Sequence, residues 1–414
     1  MYLIYPYLLY IILFILALIA SVFIYIRLKY QFWCIQPVFH VYDFYYYLFP
    51  PGIILQDLPE KNRYCNFENI KVEDTTKVED YKWTQVTRFI QKHYLKTKDV
   101  YFLPQKEDIK CYFTGHNHPC LLTTYEEKNN IIDTKSQQLV QKEELISVMT
   151  SRPLHVMINN KTTTNVYDFY VYYVDLLCVD KNKRNKGIAP QVIQTHEYQQ
   201  RRMNSNILIS LFKREGELTG IVPLCVYNTY CFDLDPWPVA HDLPRPFSIV
   251  EIGEKNLYHA VNFINEHMHH FEISIMPDVG NISELVKSKN LRIFIMVEDS
   301  NTVAVYIFKQ NHTFSKKTDI NDVESLTSIL SINQCPSTDL FINGFKNALD
   351  ILRKKGTDDK NHYGYCCIEN ISNNDIILKN IQSYFEPESE SPTAYFFYNF
   401  AYKTFDPNMV CLIE

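Results

Sequence analysis

Tyr173-Val174-Asp175-Leu176-Leu177-Cys178-Val179-Asp180-Lys181-Asn182-Lys183-Arg184-Asn185-Lys186-Gly187-Ile188-Ala189-Pro190 is an apolar strand that runs into a basic, glycine-containing turn opening a helix. In that arrangement the first backbone N–H groups of the helix face outward, with the positive end of the helix dipole behind them, and can receive a phosphate. The strand reads back to Asn165, and the helix reads forward over Ile188 to Arg202. Alone, a basic turn before a helix is also an ordinary solvated turn, so the rest of the chain has to decide.

Around this core, α and β patterns alternate. Thr84 to Tyr94 has helical spacing, Leu145 to Ile158 and Asn206 to Phe212 read as strands, and the charged stretch from Glu60 to Lys82 reads as loop. In the second half, Tyr258 to His269 reads as helix. Arg292 to Glu298 and Val303 to Phe308 read as a strand pair turned at Asp299-Ser300-Asn301, and Asp339 to Lys355 as a helix stopped by Gly356. Tyr363 to Ile368, Asp375 to Phe385 and Ala394 to Phe400 give strand, helix, strand. The halves meet near Asp233 to Pro246, where Asp235-Pro236-Trp237-Pro238 breaks regular structure.

At 414 residues the chain suits two domains or one large duplicated one. With 31 Tyr, 26 Phe and only 10 Gly it is globular in composition, and its Asn, Lys, Ile and Tyr content resembles A+T-rich coding, as in some parasites and large DNA viruses. A formal net charge of −6 argues against a broad nucleic-acid surface, while a local basic loop remains able to hold a phosphorylated cofactor. Eleven cysteines in no regular framework fit a reducing compartment. The groups His116-Asn117-His118-Pro119-Cys120 and His267, His269, His270 lack paired zinc-type spacing, so no metal is expected.

Before Arg27 the chain carries no charged side chain, and Ile11 to Ile26 is almost purely aliphatic, enough to cross a bilayer core. A cleaved signal peptide is the competing reading. The long apolar run, the missing basic n-region and a poor cleavage site at Ala17 and Ala20 favour an uncleaved single-pass anchor over residues 1–28. Arg27 and Lys29 then place the large remainder in the cytosol.

Arg184-Asn185-Lys186-Gly187-Ile188-Ala189 fits the Arg/Gln-x-x-Gly-x-Gly/Ala pattern of the GNAT acyltransferases. With Leu176-Leu177-Cys178-Val179 before it and Ala189-Pro190 after it, the stretch resembles the Asn-Phe-Leu-Cys-Val-His-Lys-Lys-Leu-Arg-Ser-Lys-Arg-Leu-Ala-Pro signature of the glycylpeptide N-myristoyltransferases. Tyr30-Gln31-Phe32-Trp33 with Gln36-Pro37-Val38 is similar to that family's Tyr-Lys-Phe-Trp-x-Thr-Gln-Pro-Val, and Ala394 to Phe400 resembles its Tyr-Tyr-Leu-Tyr-Asn-Trp. The likeness runs from Tyr30 to Glu414 on three motifs in order.

The resemblance implies a mixed α/β fold, with two GNAT-like halves forming one saddle-shaped sheet flanked by helices. The expected layout is residues 29–82 as an arm over the acyl-CoA site, 83–235 as the acyl-CoA-binding half, and 236–414 as the peptide-binding half with the C-terminal carboxylate. The implied reaction moves a myristoyl group from myristoyl-CoA to the N-terminal glycine amine of a protein or peptide. By resemblance the N–H groups of Leu176 and Leu177 are the oxyanion hole, and the chain's own C-terminal carboxylate, that of Glu414, is the base. Gln31, Phe32, Trp33, Lys181, Lys183, Arg184, Asn185, Lys186, Gly187, Ile188 and Ala189 would hold the CoA, and Tyr94, Phe102, Asp175, Phe212, Lys213 and Tyr227 the peptide. The glycine amine titrates near ~8 and an α-carboxyl near ~3.5, so the proton transfer is uphill by about four units and calls for burial of the base.

The peptide side departs from the family. Asp175 replaces its Asn, Lys213 falls where it has Thr, and Cys225-Val226-Tyr227-Asn228-Thr229 replaces Cys-Arg-Tyr-Trp-His. Tyr94-Leu95-Lys96-Thr97-Lys98-Asp99 puts two Lys in an acidic loop, which weakens any preference for basic peptides. The alternative reading is a non-catalytic membrane protein that keeps the fold to bind acyl-CoA or acylated peptide as a scaffold. A third is a GNAT enzyme for a shorter chain or for lysine.

Overall fold

A computed structural model describes residues 4–29, 31–97, 99–132, 139–159, 166–216, 220–317, 322–358 and 363–414. Tyr30, Lys98 and Asn165, each part of a sequence reading above, lie outside the described residues.

The first element is the helix Ile4–Lys29. Its Leu9–Lys29 portion, 21 residues whose most apolar stretch is nowhere buried, is long and apolar enough to cross a membrane. At 1.5 Å per residue it spans roughly 31 Å, the thickness of a hydrocarbon core. Its end meets the arm that follows, where Phe23 packs on Tyr42 at 5.4 Å between ring centroids.

Beyond the arm, 15 strands form one mixed sheet among the described residues. From edge to edge its main path reads Val410–Leu412, Ile273–Met276, Leu139–Asn159, Val166–Val179, Ile209–Glu215, Ser389–Tyr398, Cys225–Asp233, Tyr363–Glu369, Asp322–Asn333, Asn301–Lys316, Leu291–Glu298 and Phe247–Ile252. Two parallel pairs stand out. Val166–Val179 runs beside Ile209–Glu215 across the helix Ile188–Met203, and Asp322–Asn333 beside Tyr363–Glu369 across the helix Thr338–Asp358. This is a duplicated strand–helix–strand unit, since a parallel pair needs a crossover connection.

The halves exchange strands. Ser389–Tyr398, late in the chain, pairs on one side with Ile209–Glu215 and on the other with Cys225–Asp233. It bridges the two units at the middle of the sheet.

Both faces are covered, and strand alternation explains how. Phe294, Met296, Ala304, Tyr306 and Phe308 point to one side, against Phe341, Phe345 and Leu349 of Thr338–Asp358. Ile293, Ile295, Val305 and Ile307 point to the other, against Leu257, Phe263 and Ile264 of Leu257–His267. The helix Asp80–His93 brings Trp83, Val86 and Ile90 onto Val148 and Cys178.

Several expectations need correction. The Glu60 to Lys82 stretch contains a strand, Ile70–Asp74, paired with Leu121–Ile132, and the following helix starts at Asp80. The helix expected to stop before Gly356 runs to Asp358, because one glycine near a helix end costs only about 1 kcal/mol. The strand expected over Val303 to Phe308 extends over Asn301–Lys316 because Asp322–Asn333 continues its ladder to Lys316 and Val100–Phe102 takes the other side at Thr313 to Ser315, beyond the end of Leu291–Glu298.

Glu324 offers a stability test away from the cavity. Its carboxylate is 1% exposed, accepts from Gln310 Nε2 at 3.0 and 3.2 Å, and is pushed up by burial to about 7. Its folded value lies above the ordinary glutamate value, so its contribution is full below about 4.5 and is lost as pH rises through about 7. Glu324→Gln is expected to gain roughly 1–3 kcal/mol over the native chain at pH 8 and almost nothing at pH 4.5, read by urea unfolding at both pH values.

Candidate active site

The cavity forms because two paired strands part. Val166–Val179 and Ile209–Glu215 pair from Val171↔Ile209 to Val174↔Phe212 and no further. At the next residues the opposite ladder slips. Val148 pairs with Cys178 and Thr150 with Asp175, so a two-residue step on one strand faces a three-residue step on the other. That is a β-bulge at Leu176 and Leu177, and Leu176 absorbs it at φ 51°. A non-glycine residue there holds roughly 1–2 kcal/mol of backbone strain, of the kind found at binding and catalytic sites. Thr150 Oγ1 donates to the Asp175 carbonyl at 3.0 Å and fixes the bend.

A cavity of about 250 Å³ opens at this point. Trp33, Tyr94, Asp175, Leu176, Leu177, Phe212 and Lys213 line it, so seven of the sequence-derived residues come together. Trp33 stacks on Phe212 at 5.8 Å and brings the arm onto the cavity. The arm is pinned by Asn399, whose Nδ2 donates to the Leu55 and Leu208 carbonyls, both at 2.9 Å, and whose Oδ1 accepts from the Leu55 N–H at 2.7 Å.

The Leu176 N–H is already engaged: it donates to Asp175 Oδ1 at 2.7 Å. The donor assigned to a developing oxyanion therefore carries an anion of the chain itself.

Behind Lys213 lies a buried ionic cluster. Lys213 Nζ meets Glu369 Oε1 at 2.5 Å and Glu414 Oε1 at 3.2 Å, and Lys309 Nζ lies 3.4 Å from Glu414 Oε1. Both glutamate side chains are 3% exposed. Arg152, 1% exposed, is held between the rings of Tyr112 and Tyr173 at 4.7 and 5.1 Å and adds positive potential at Glu414. Burial alone raises a carboxyl, but Lys309 and Lys213 overcome it and hold the Glu414 side chain far below its ordinary value. The Lys213 ammonium is kept charged, Glu369 and Glu414 outweighing its desolvation.

The basic turn has its expected shape. Gly187 caps the helix Ile188–Met203 at φ 74° and Asn185 stands at φ 62°. Ile188 is buried at the helix start, with Ala189 following. Not every cation there faces outward. Arg184 Nη2 donates to the His93 carbonyl at 2.7 Å, Lys183 Nζ pairs with Glu127 at 2.6 Å, and Lys181 Nζ caps the Lys96 carbonyl. Lys186 is exposed.

Besides Glu414 and the residues of the basic turn, which are not part of the cavity lining, four further predicted residues stand apart from it. Phe32 is buried edge-on to Tyr64 and Trp33, Gln31 is exposed beside Arg63, Phe102 lies behind Tyr94 at 5.4 Å, and Tyr227 stacks on Tyr395 beneath Lys213. Sequence reasoning missed Glu369, Lys309 and Arg152, and also the cavity-lining His196, Glu197, Ser210 and Tyr398. A signal existed for some of these: Ile193, His196, Glu197 and Gln200 follow i, i+3, i+4, i+7 spacing, one helix face, and that face is the buried one. No group of three or more metal-ligating side chains comes together among the described residues.

Neither a protein-family profile nor a curated protein matches the sequence. Solved structures do. Saccharomyces cerevisiae N-myristoyltransferase with bound myristoyl-CoA superposes with a TM-score of 0.67 at 12% identity, over 91% of this chain and 94% of that one. The fold is that of N-myristoyltransferase. The same yeast enzyme with bound myristoyl-CoA and inhibitors superposes with a TM-score of 0.66 at 13% identity, over 91% of each chain. The N-myristoyltransferase fold thus accounts for nearly the whole chain, including the large mixed sheet and the helices on its faces.

Proposed function

We propose that this protein binds an acyl-CoA between the parted strands and transfers the fatty acyl group, myristoyl in the first instance, to the N-terminal glycine amine of a peptide or protein. The observation that carries the reading is the strained bulge at Leu176 and Leu177, set above a cavity at the end of a parallel pair and followed by the Gly187 helix start. Thioester aminolysis places negative charge on the carbonyl oxygen, and two fixed backbone donors are what that charge requires. CoA phosphates would take the N–H groups at Gly187, Ile188 and Ala189, with Lys186 and its neighbours supplying charge. The proton of the amine would pass to the C-terminal carboxylate of Glu414 rather than to its side chain, which Lys309 and Lys213 hold far below its ordinary value, and no metal is invoked. Residues 1–28 would anchor the protein in a bilayer, with the sheet on the cytosolic side and no nucleic-acid partner.

A second reading is favoured by two observations at the same place. Asp175 Oδ1 occupies the Leu176 N–H, and the Lys213 ammonium sits against Glu414 where an incoming ammonium would have to sit. On that reading the protein holds acyl-CoA or acylated peptide without turnover.

Radiolabelled myristoyl-CoA with a library of Gly-terminal peptides separates the two. Label transfer that one glycine added after Glu414 reduces by at least tenfold supports the enzyme, and tight acyl-CoA binding without transfer supports the binder.

A further inference from the structure

No polar linker follows the helix Ile4–Lys29. From Gln31 to Gln56 the chain carries one charged side chain, Asp43, and one histidine, His40. These two answer each other: Asp43 Oδ2 accepts from the His40 N–H at 2.8 Å and lies 3.2 Å from His40 Nδ1. Within the run, Phe44, Tyr45, Tyr47, Leu48 and Phe49, on and just after the short helix Phe44–Leu48, are each at least 55% exposed. Large apolar and aromatic side chains gathered in one short stretch are unfavourable in water and mark a surface that something covers.

Position decides what covers it. Past Lys29 the chain doubles back, and Tyr42 packs on Phe23 of the helix at 5.4 Å between ring centroids. Phe23 precedes Lys29 by six residues, roughly 9 Å along the helix axis. With Arg27 and Lys29 at the headgroups, Tyr42 stands level with the edge of the hydrocarbon, and the exposed aromatic stretch begins two residues later. Tyr-rich segments without charge are what that depth selects.

The other side of the segment is rooted in the sheet domain. Phe39, 3% exposed, meets the rings of Tyr46 and Tyr47 at 5.7 and 4.8 Å. The Val41 N–H donates to the Gly220 carbonyl at 3.0 Å, and the Val222 N–H to the Phe39 carbonyl at 2.7 Å. His40 Nε2 lies 2.9 Å from the carbonyl of Trp33, whose side chain lines the cavity.

We propose that residues 41–49 are a second membrane contact, which beds in the headgroup and acyl boundary of a phospholipid bilayer beside the N-terminal helix and holds the Trp33 side of the cavity against the lipid surface. The proposal rests on the reading of residues 1–28 as an anchor, and adds that the folded part is seated on the bilayer rather than tethered above it. Because the contact is apolar, it needs no anionic lipid and should not weaken with salt.

The test uses the full chain, one copy per nanodisc of zwitterionic phospholipid. An environment-sensitive fluorescent amino acid replaces Leu48, Ile19 at the middle of the helix, or Tyr258, exposed on Leu257–His267, and lipids carry a nitroxide quencher near the carbonyl or at the chain end. The expected result is quenching at Leu48 roughly fivefold above that at Tyr258, strongest with the shallow nitroxide and unchanged in high salt, while Ile19 answers best to the deep one. Quenching at Leu48 no greater than at Tyr258, with Ile19 still quenched, overturns the proposal and leaves the anchor standing. A Leu48 probe that is shielded from water yet unquenched by either lipid is covered by protein, and overturns it as well. An unquenched Ile19 overturns the anchor and the proposal together. All three positions are exposed, so the labels disturb no core.

Discussion

Asp175→Ala is expected to raise the rate of acyl transfer by about 10²-fold. In the native chain the Leu176 N–H donates to Asp175 Oδ1 at 2.7 Å, so a thioester oxygen reaching for that donor must displace a carboxylate. Removing one oxyanion donor from an acyltransferase costs about 10²–10³ in kcat, and freeing one should return a comparable factor. The carboxylate also opposes the reaction by its charge: at about 4 Å and an effective dielectric near 20, two like charges repel by roughly 4 kcal/mol. Asp175→Asn keeps the accepting oxygen and removes the charge, so its rate should fall between the two. Single-turnover transfer with saturating myristoyl-CoA measures all three proteins, and an alanine variant no faster than the native chain removes Asp175 from the site.

Lys213→Met should be the most destabilising single change in the cavity. It leaves Glu369 without its 2.5 Å partner and Glu414 with Lys309 and the more distant Arg152, both carboxylates buried. Breaking a buried ion pair from one side costs about 3–5 kcal/mol. Glu369→Gln in the same chain should recover most of the loss, since the charge left bare is then gone. The pH dependence shifts with the substitution. In the native protein the depressed Glu414 side chain contributes stability above its ordinary value of 4.5 that is lost as pH falls, while Glu369, raised by burial in spite of Lys213, contributes stability below 4.5 that is lost as pH rises. Lys213→Met removes a charge that lowers both carboxyls, so Glu369 rises further and Glu414 is less depressed, and both changes take stability away as pH rises. Urea unfolding of both proteins from pH 4 to pH 8 should show the variant losing stability relative to the native chain as pH rises, and parallel slopes would show that the cluster is not coupled to Lys213.

The strand, turn and helix around Asp175 to Met203 were legible because apolar continuity, Gly187 and helical spacing agree over one short stretch. Strands carrying many polar residues were not. Ile70–Asp74 reads as charged loop, and Asp322–Asn333 buries Ser325, Thr327, Ser328 and Ser331, of which the Ser325, Thr327 and Ser331 hydroxyls are met by neighbours distant in sequence. The candidate site divides in the same way. Its backbone donors sit in a local motif, whereas the Lys213 cluster draws Lys309 and Glu369 from separate strands and Glu414 from beyond the strand Val410–Leu412, and nothing near any one of them announces the others. Glu197 was passed over because a glutamate on a helix is nearly always solvated, and only the packed sheet makes it a cavity wall.

The strand Ser389–Tyr398 has a bearing on how the molecule comes into being. It closes the gap between Ile209–Glu215 and Cys225–Asp233, yet it emerges from the ribosome more than 150 residues after both. Until it arrives, each of those strands presents an open edge, the surface on which chains join one another wrongly. The N-terminal helix is by then long since free to enter a bilayer. Completion of the sheet is therefore a late, long-range event in the life of each new chain, and a ribosome stalled shortly before Ser389 should leave a tethered, unzipped protein that a chaperone must shield.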